Sequence, residues 1–391
     1  MQAGTQADAT AREEPAAKEN SNPGVLPRQQ LKQAIKSGVI TAEQAIDESQ
    51  LQPSSIDLRL GGKAYRVRSS FLPHKKKVEE MLQELTMYDF ELTDGAILEK
   101  GNVYLIPLME SLCLPYNVRG RANPKSSTGR LDIFTRVITD RSLRFEDIEA
   151  GYHGRLYLEV VPRSFTIKVQ RGLCLNQLRL IRGSSSINDN RLLTMHDETP
   201  LIYGSGLFKA STSISDGIYV GIEVHTENSD RIIGYMAKKN SRVIDLTSSE
   251  KYEVHDFWEP IKSPHENFLI LEPEEFYIFA SKERVRVPMN CAAEMVEFDA
   301  GSGELRTHYA GFFDSGFGDV EVEGTKAVLE VRPHDVPFRV EDGQPFFKLR
   351  YEKMAARPRA GYGSGIGSNY YNQGLKLSKH FIMRKNGKNS R

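Results

Sequence analysis

From Gln52 onward, apolar and polar positions alternate in short runs. "SIDLRLG", "VYLIPL", "GRLYLEVV", "SFTIKVQ" and "LNQLRLI" are each bounded by Gly, Pro, Asn or Asp. Period-two runs broken by turn residues predict the strands of an all-β sandwich or barrel. Helical spacing is confined to the N-terminal side. Leu31, Ala34, Ile35 and Val39 predict one helix in "LPRQQLKQAIKSGVI", and "TAEQAIDES" predicts a second, with Thr41 as N-cap. "KKKVEEMLQELTMYDF" reads as a helical insertion whose lysines form a solvated face.

The strand pattern recurs. "NVYLIPLMESLCLP" resembles "EFYIFASKERVRVP", with Tyr104 and Tyr277, and Pro115 and Pro288, both 173 positions apart. "LYLEVVPRSFTIKVQRGLCLNQLRL" resembles "AVLEVRPHDVPFRVEDGQPFFKLRY", with Leu158-Glu159 and Leu329-Glu330 offset by 171. Two collinear blocks with nearly equal shifts predict duplication of one β-domain. The expected organisation is a disordered tail at 1–24, a first barrel at 25–183, a linker at 184–200, a second barrel at 201–355 and a Gly/Tyr/Lys-rich lid at 356–391.

Composition narrows the function. Lys plus Arg and Asp plus Glu both total 52, so no bulk field favours nucleic acid or an acidic membrane, and any anion must be bound locally. The three cysteines, Cys113, Cys174 and Cys291, form no CxxC pair and predict buried, reduced thiols. With no h-region and no run of about 18 apolar residues, neither a signal peptide nor a membrane span is expected. A cytoplasmic location follows as the expectation.

Four segments carry candidate chemistry. "NPKSSTGRLDIF" packs Lys125, Ser126, Ser127 and Arg130 into one loop, where hydroxyls, backbone N–H groups and cations can converge on phosphate oxygens. An ordinary polar turn has the same composition, and the residues leave both readings open. "HYAGFFDSGFGD" is a glycine-punctuated hairpin with Asp314 between aromatics. Glu330 sits within the apolar "AVLEV", where a carboxylate must be paired, functional or pointed to solvent. "GYGSGIGSNYYNQGLKLSKHF" offers Tyr371, Gln373, Lys376 and Lys379 on a glycine-hinged segment that is a lid or a tail. "HTE" at 225–227 matches part of the zinc deaminase signature, but P-C-x-x-C is missing, so His225 and Glu227 read as structural.

Together, "QPSSIDLRLG", "KSSTGR", "AGFFDSGFG", "LEV" with its following "DGQ", and the Gly/Tyr-rich end resemble the dCTP deaminase and dUTPase superfamily, and most closely its long, tandem-domain bacterial dCTP deaminases. The resemblance covers roughly residues 25–385. It implies a mainly β chain of two dUTPase-like distorted barrels (the β-clip fold) with short N-terminal helices, forming a homo-oligomer with sites between barrels. It implies dCTP as substrate, Mg²⁺ carried by the triphosphate, no zinc, and feedback by dTTP. On the matching positions, Ser126, Ser127 and Arg130 hold the triphosphate, Lys125 stands where short relatives carry arginine, the hairpin of Asp314 holds the nucleoside, and Glu330 or Glu159 is the catalytic base.

The halves differ in what they keep. The first has the loop, but its hairpin, "IEAGYHG", lacks the aspartate; the second has Asp314 but reads "NCAAEM" where the loop belongs. The expectation is one composite site, with the first half's loop facing the second half's hairpin and Glu330, and with Ser126 orienting the water. Glu159 is the alternative base. Hydrolytic deamination of dCTP to dUTP and ammonia is the first functional reading. A dUTPase, an enzyme performing both steps, and a non-catalytic nucleotide-binding regulator are the alternatives.

Overall fold

A computed structural model of the chain describes residues 22–204, 214–297, 305–306, 311–319, 324–363, 370 and 373–383. Most of the expected disordered tail lies outside the described residues. Gly24, assigned to that tail, instead joins the strand Gly24–Val25, which pairs with Arg182 and Ile181.

Beside a small sheet of Ala96–Leu98, Ile167–Val169 and Ile244–Asp245, two larger sheets make the first half. In one, Cys174–Arg182 is flanked by Val118–Pro124 and by Ile56–Arg59. In the other, Thr86–Glu91, Lys63–Val67, Val103–Cys113, His153–Pro162 and Ile133–Ile138 lie side by side. The second half is built on a larger sheet in which Tyr277–Val285 pairs with Thr325–Pro333, and Pro345–Lys353 with Cys291–Glu297. The mainly β, dUTPase-like architecture is the one expected.

Equivalent devices recur in both halves. The Glu99 amide donates to the Tyr104 hydroxyl at 3.0 Å and the Glu272 amide to that of Tyr277 at 2.9 Å. Glu159 lies opposite Leu105 and Glu330 opposite Ile278. Glu110 and Glu283 are both fully buried. Glu110 is held by Arg59 (2.8 Å), whereas Glu283 accepts the Gly221 amide (2.7 Å), and burial raises its pKa.

Alternation explains how Glu330 comes to lie between the halves. Along Thr325–Pro333, Ala327, Leu329 and Val331 enter the second half's core, while Val328 on the opposite face joins the core of the first. Glu330 and Arg332 share the face of Val328. Such a strand is buried on both sides, so its polar residues face the seam and not water. Cys174–Arg182 behaves likewise: Leu178 and Leu180 fill the first core, and Gln177 and Arg179 turn to the second half.

Some local expectations fail. "TAEQAIDES" forms no α-helix. Ile40–Ala42 is a strand against Leu112–Glu110, burying Ile40, and only a 3-10 turn at Glu48–Gln50 follows, capped by Asp47. The short segment's helix propensity yields to this sheet edge. The helical insertion is confined to Val78–Leu85 and continues as the strand Thr86–Glu91. Residues 184–200 contain the helix Asp189–Glu198, capped by the Asn188 side chain. Cys113 is exposed, unlike buried Cys291, and all three thiols are free.

The "HTE" triplet lies in no strand. The strand Ile218–Glu223 ends before it, and the Val224 and His225 amides donate to Asp342. Among the described residues no helix is long and apolar enough to cross a membrane.

Candidate active site

The "KSSTGR" loop is pinned to the strand Cys174–Arg182. The Lys125 amide (3.0 Å) and the Thr128 hydroxyl (2.8 Å) both donate to the Leu175 carbonyl, and Ser126–Gly129 forms one helical turn. Opposite it lies the hairpin bearing Asp314. Phe313 and Phe317 meet edge to face at 4.9 Å, and Asp314 accepts the buried Ser54 hydroxyl of the first half. Arg179 fastens this hairpin across the seam. It donates to the carbonyls of Ala293 (2.9 Å) and Phe313 (2.8 Å), stacks on Phe312, and lies 3.6 Å from Asp314.

Loop, hairpin and Glu330 thus line one cavity of about 100 Å³, together with Gln52, Asp57, Gln177, Tyr362, Tyr370 and Gln373. A Cβ on Gly129 would collide with the Glu330 carboxyl, so glycine is what allows the loop to approach it. Glu159 is elsewhere. Its buried carboxylate is bound by Arg136 (2.9 Å to Nε), whose guanidinium stacks 3.5 Å from the Phe145 ring. Its strand neighbour Tyr157 packs among Val78, Leu82 and Leu85 of the insertion.

The C-terminal segment is docked over the loop. Arg130, itself buried, donates to the Lys376 carbonyl and the Gln373 side chain, both at 2.8 Å, and stacks 3.9 Å from the Tyr370 ring. Ser378 donates to the Ser127 carbonyl (2.8 Å), and Phe381–Ile382 pairs with Tyr252–Glu253. Of the expected lid residues, Gln373, Lys376 and Lys379 lie here; Tyr371 lies outside the described residues. Ligand pockets usually measure roughly 300–1,000 Å³, and this cavity is smaller.

Cations crowd this end. Burial lowers the Lys376 pKa and Arg130 lowers it further; burial also lowers that of Lys379, with Lys125 adding to the effect. Burial likewise lowers that of Arg130. Lys125 is bonded to Asp57, whose carboxyl burial pushes up while Lys125 pulls it down. Like charges held together in a buried site are relieved by an anion carrying several charges. Among the described residues no group of three His, Cys, Asp or Glu is arranged to hold a metal.

Two family models match: 2'-deoxycytidine 5'-triphosphate deaminase N-terminal domain over residues 22–184, and the C-terminal domain over 188–381. The chain belongs to the dCTP deaminase family. A crystal structure of 2'-deoxycytidine 5'-triphosphate deaminase from Agrobacterium tumefaciens is 44% identical, with a TM-score of 0.80, and the match covers 85% of this chain and 99% of that one. The "dCTP deaminase, dUMP-forming" of Methanothermobacter thermautotrophicus is 34% identical over 140 residues, 35% of this chain and 67% of the relative. That of Acidothermus cellulolyticus is 31% identical over 163 residues, 41% of this chain and 81% of the relative.

Asp57, Gln177, Arg179, Ser54 and Gln52 were not among the residues predicted from the sequence. Asp57 lies inside the quoted "SSIDLRLG", and the polar residues of "LNQLRL" interrupt an otherwise apolar strand; these were the available signals. The partners of Ser54 and Arg179 across the seam are more than a hundred positions away, whereas Gln52 bonds locally to Ser49 and Asp57.

Proposed function

We propose that this member of the dCTP deaminase family hydrolyses dCTP to dUTP and ammonia in the composite pocket, with Glu330 as general base. The observation that carries the reading is the convergence, within one chain, of the first half's Lys125–Arg130 loop with the second half's Asp314 hairpin and Glu330. The triphosphate is held by Lys125, Arg130, Lys376 and Lys379 with the Ser126 and Ser127 hydroxyls. The nucleoside lies against the Phe312–Phe317 hairpin, with Asp314 directed to its sugar or base. Since the docked segment engages the Arg130 fork, nucleotide exchanges with the Gln373 and Lys376 contacts, and the segment withdraws to admit it and then closes with Lys376 and Lys379 on the triphosphate.

In the reaction, Glu330 takes a proton from a water held beside Ser126 as the water adds to C4. It returns that proton to the ring nitrogen, then carries the proton of the new C4 hydroxyl to the amino group, which leaves as ammonia as the C4 carbonyl forms. General acid–base help of this kind is worth roughly 10²–10⁴-fold. Magnesium would arrive with the triphosphate and supply neutralisation of its charge, with no dedicated protein cage required. Competition by dTTP, which presents the same triphosphate to the same cations, and a homo-oligomeric state belong to the reading.

The dUMP-forming relatives from Methanothermobacter thermautotrophicus and Acidothermus cellulolyticus favour a second reading in which dUTP is hydrolysed further. The test is ammonia release from purified protein with dCTP and magnesium after zinc chelation, with dUTP, dUMP and pyrophosphate followed in parallel. Ammonia with accumulating dUTP supports the first reading, and ammonia with dUMP and pyrophosphate the second. Pyrophosphate from dUTP with no ammonia from dCTP means a dUTPase; tight dCTP binding without turnover means a regulator.

A further inference from the structure

Two residues beyond Glu330, on the same face of the strand, Arg332 reaches across to the first half and pairs with Asp132, which follows the "KSSTGRL" loop directly. Asp132 also accepts the Ser164 hydroxyl (2.6 Å), and Arg332 Nη2 lies 3.0 Å from the same Ser164 oxygen. Both charged side chains are buried, at 5% and 0% exposure. Each is fixed at its own end. The Asp132 amide donates to the Gly129 carbonyl (2.8 Å) and its carbonyl accepts the Arg163 amide (2.9 Å), with φ at +55°; Arg332 Nη1 donates to the Glu274 carbonyl.

The other repeat has no such bridge. The position 171 residues before Arg332 is Val161, so the strand of Glu159 lacks the arginine. Buried ion pairs contribute little net stability, because desolvation offsets the attraction. Finding one across the seam, beside only that glutamate which lines the pocket, points to geometry as its purpose. We propose that Asp132 and Arg332 are positioning residues that set the spacing between the Glu330 carboxylate and the loop holding the nucleotide. Glu330 lies against Gly129, and Asp132 is hydrogen-bonded to Gly129, so the bridge ties the carboxylate's strand to the backbone it abuts. The proposal rests on the reading of this pocket as a deaminase site.

The test begins with wild-type ammonia release. No turnover there refutes the functional reading whatever the bridge does. With turnover established, Arg332→Lys, Arg332→Met, Asp132→Asn and the double variant Asp132→Asn/Arg332→Met are compared for kcat, equilibrium dCTP affinity and Tm. Asn tolerates the positive φ at 132, and Arg332→Lys keeps the charge should Arg332→Met fail to fold. Expected is a fall in kcat of about 10²-fold, the cost of a displacement near 1 Å, with dCTP affinity within about twofold of wild type by the same argument, since the phosphate cations are untouched. In the double variant Tm recovers toward wild type, because no unpaired charge is left, while kcat does not. Full kcat in the single variants, kcat that recovers with Tm in the double variant, or a loss confined to dCTP affinity overturns the proposal.

Discussion

Glu330→Gln and Glu159→Gln place the same small change at equivalent points of the repeat and are expected to do opposite things. Gln matches Glu in size, and Glu330 is 2% exposed in the pocket wall, so the variant keeps the packing and loses the proton acceptor. Its kcat should fall by roughly 10²–10⁴-fold, about 3–5 kcal/mol in the barrier, with dCTP binding retained. Glu159 is equally buried but holds Arg136, which is also bound to Ser70 (2.6 Å) and stacked on Phe145. Removing its charge leaves the guanidinium with a weaker acceptor, a loss of about 1–3 kcal/mol, or a Tm lower by roughly 2–10 °C, with turnover intact. Steady-state ammonia release, dCTP binding and thermal melts on the two proteins decide the matter. Turnover lost in Glu159→Gln but kept in Glu330→Gln would refute the assignment of the base and the composite site with it.

Two further outcomes are expected. In Gly129→Ala the new methyl displaces the Glu330 carboxyl, the mobile end of a side chain, so kcat should fall about 10–100-fold while the melt stays close to wild type; unchanged kcat would show that the contact is irrelevant. Burial pushes the Glu146 carboxyl, which accepts the Asn176 side chain at 3.2 Å, up to about 8 from an ordinary 4.5. The folded state then binds the proton more tightly than the unfolded one. Its contribution is full below about pH 4.5 and is lost as pH rises toward 8. Glu146→Gln should flatten the decline of Tm across that window, and an unaltered Tm–pH profile would sink the assignment.

What was legible in the sequence was what is local. The "KSSTGR" loop, the Asp314 hairpin and the "LEV" glutamate are contiguous stretches, and the structure brings them to one cavity. The repeat was legible because Tyr104 and Tyr277 do the same job in each half, bonding an amide five residues earlier. Illegible were the cross-seam partners. Nothing near Arg179 announces Phe313 or Glu352, and nothing near Asp132 announces Arg332, 200 positions on. Alternation itself misled there, since a polar residue on a two-sided buried strand looks like one facing water. "TAEQAIDES" failed for the related reason that Ile40–Ala42 follows a neighbouring strand, Val103–Cys113, more than its own propensity.

The location of the pocket between halves of a single chain also has a genetic consequence. Where a site forms between separate identical chains, one chain defective in the loop and another defective in the glutamate can be mixed to regenerate some intact sites. Here the loop residue Arg130 and Glu330 contribute to the same pocket in cis. Chains carrying Arg130→Ala and chains carrying Glu330→Gln therefore do not complement one another, however they assemble, and in a mixed population activity scales with the fraction of wild-type chains.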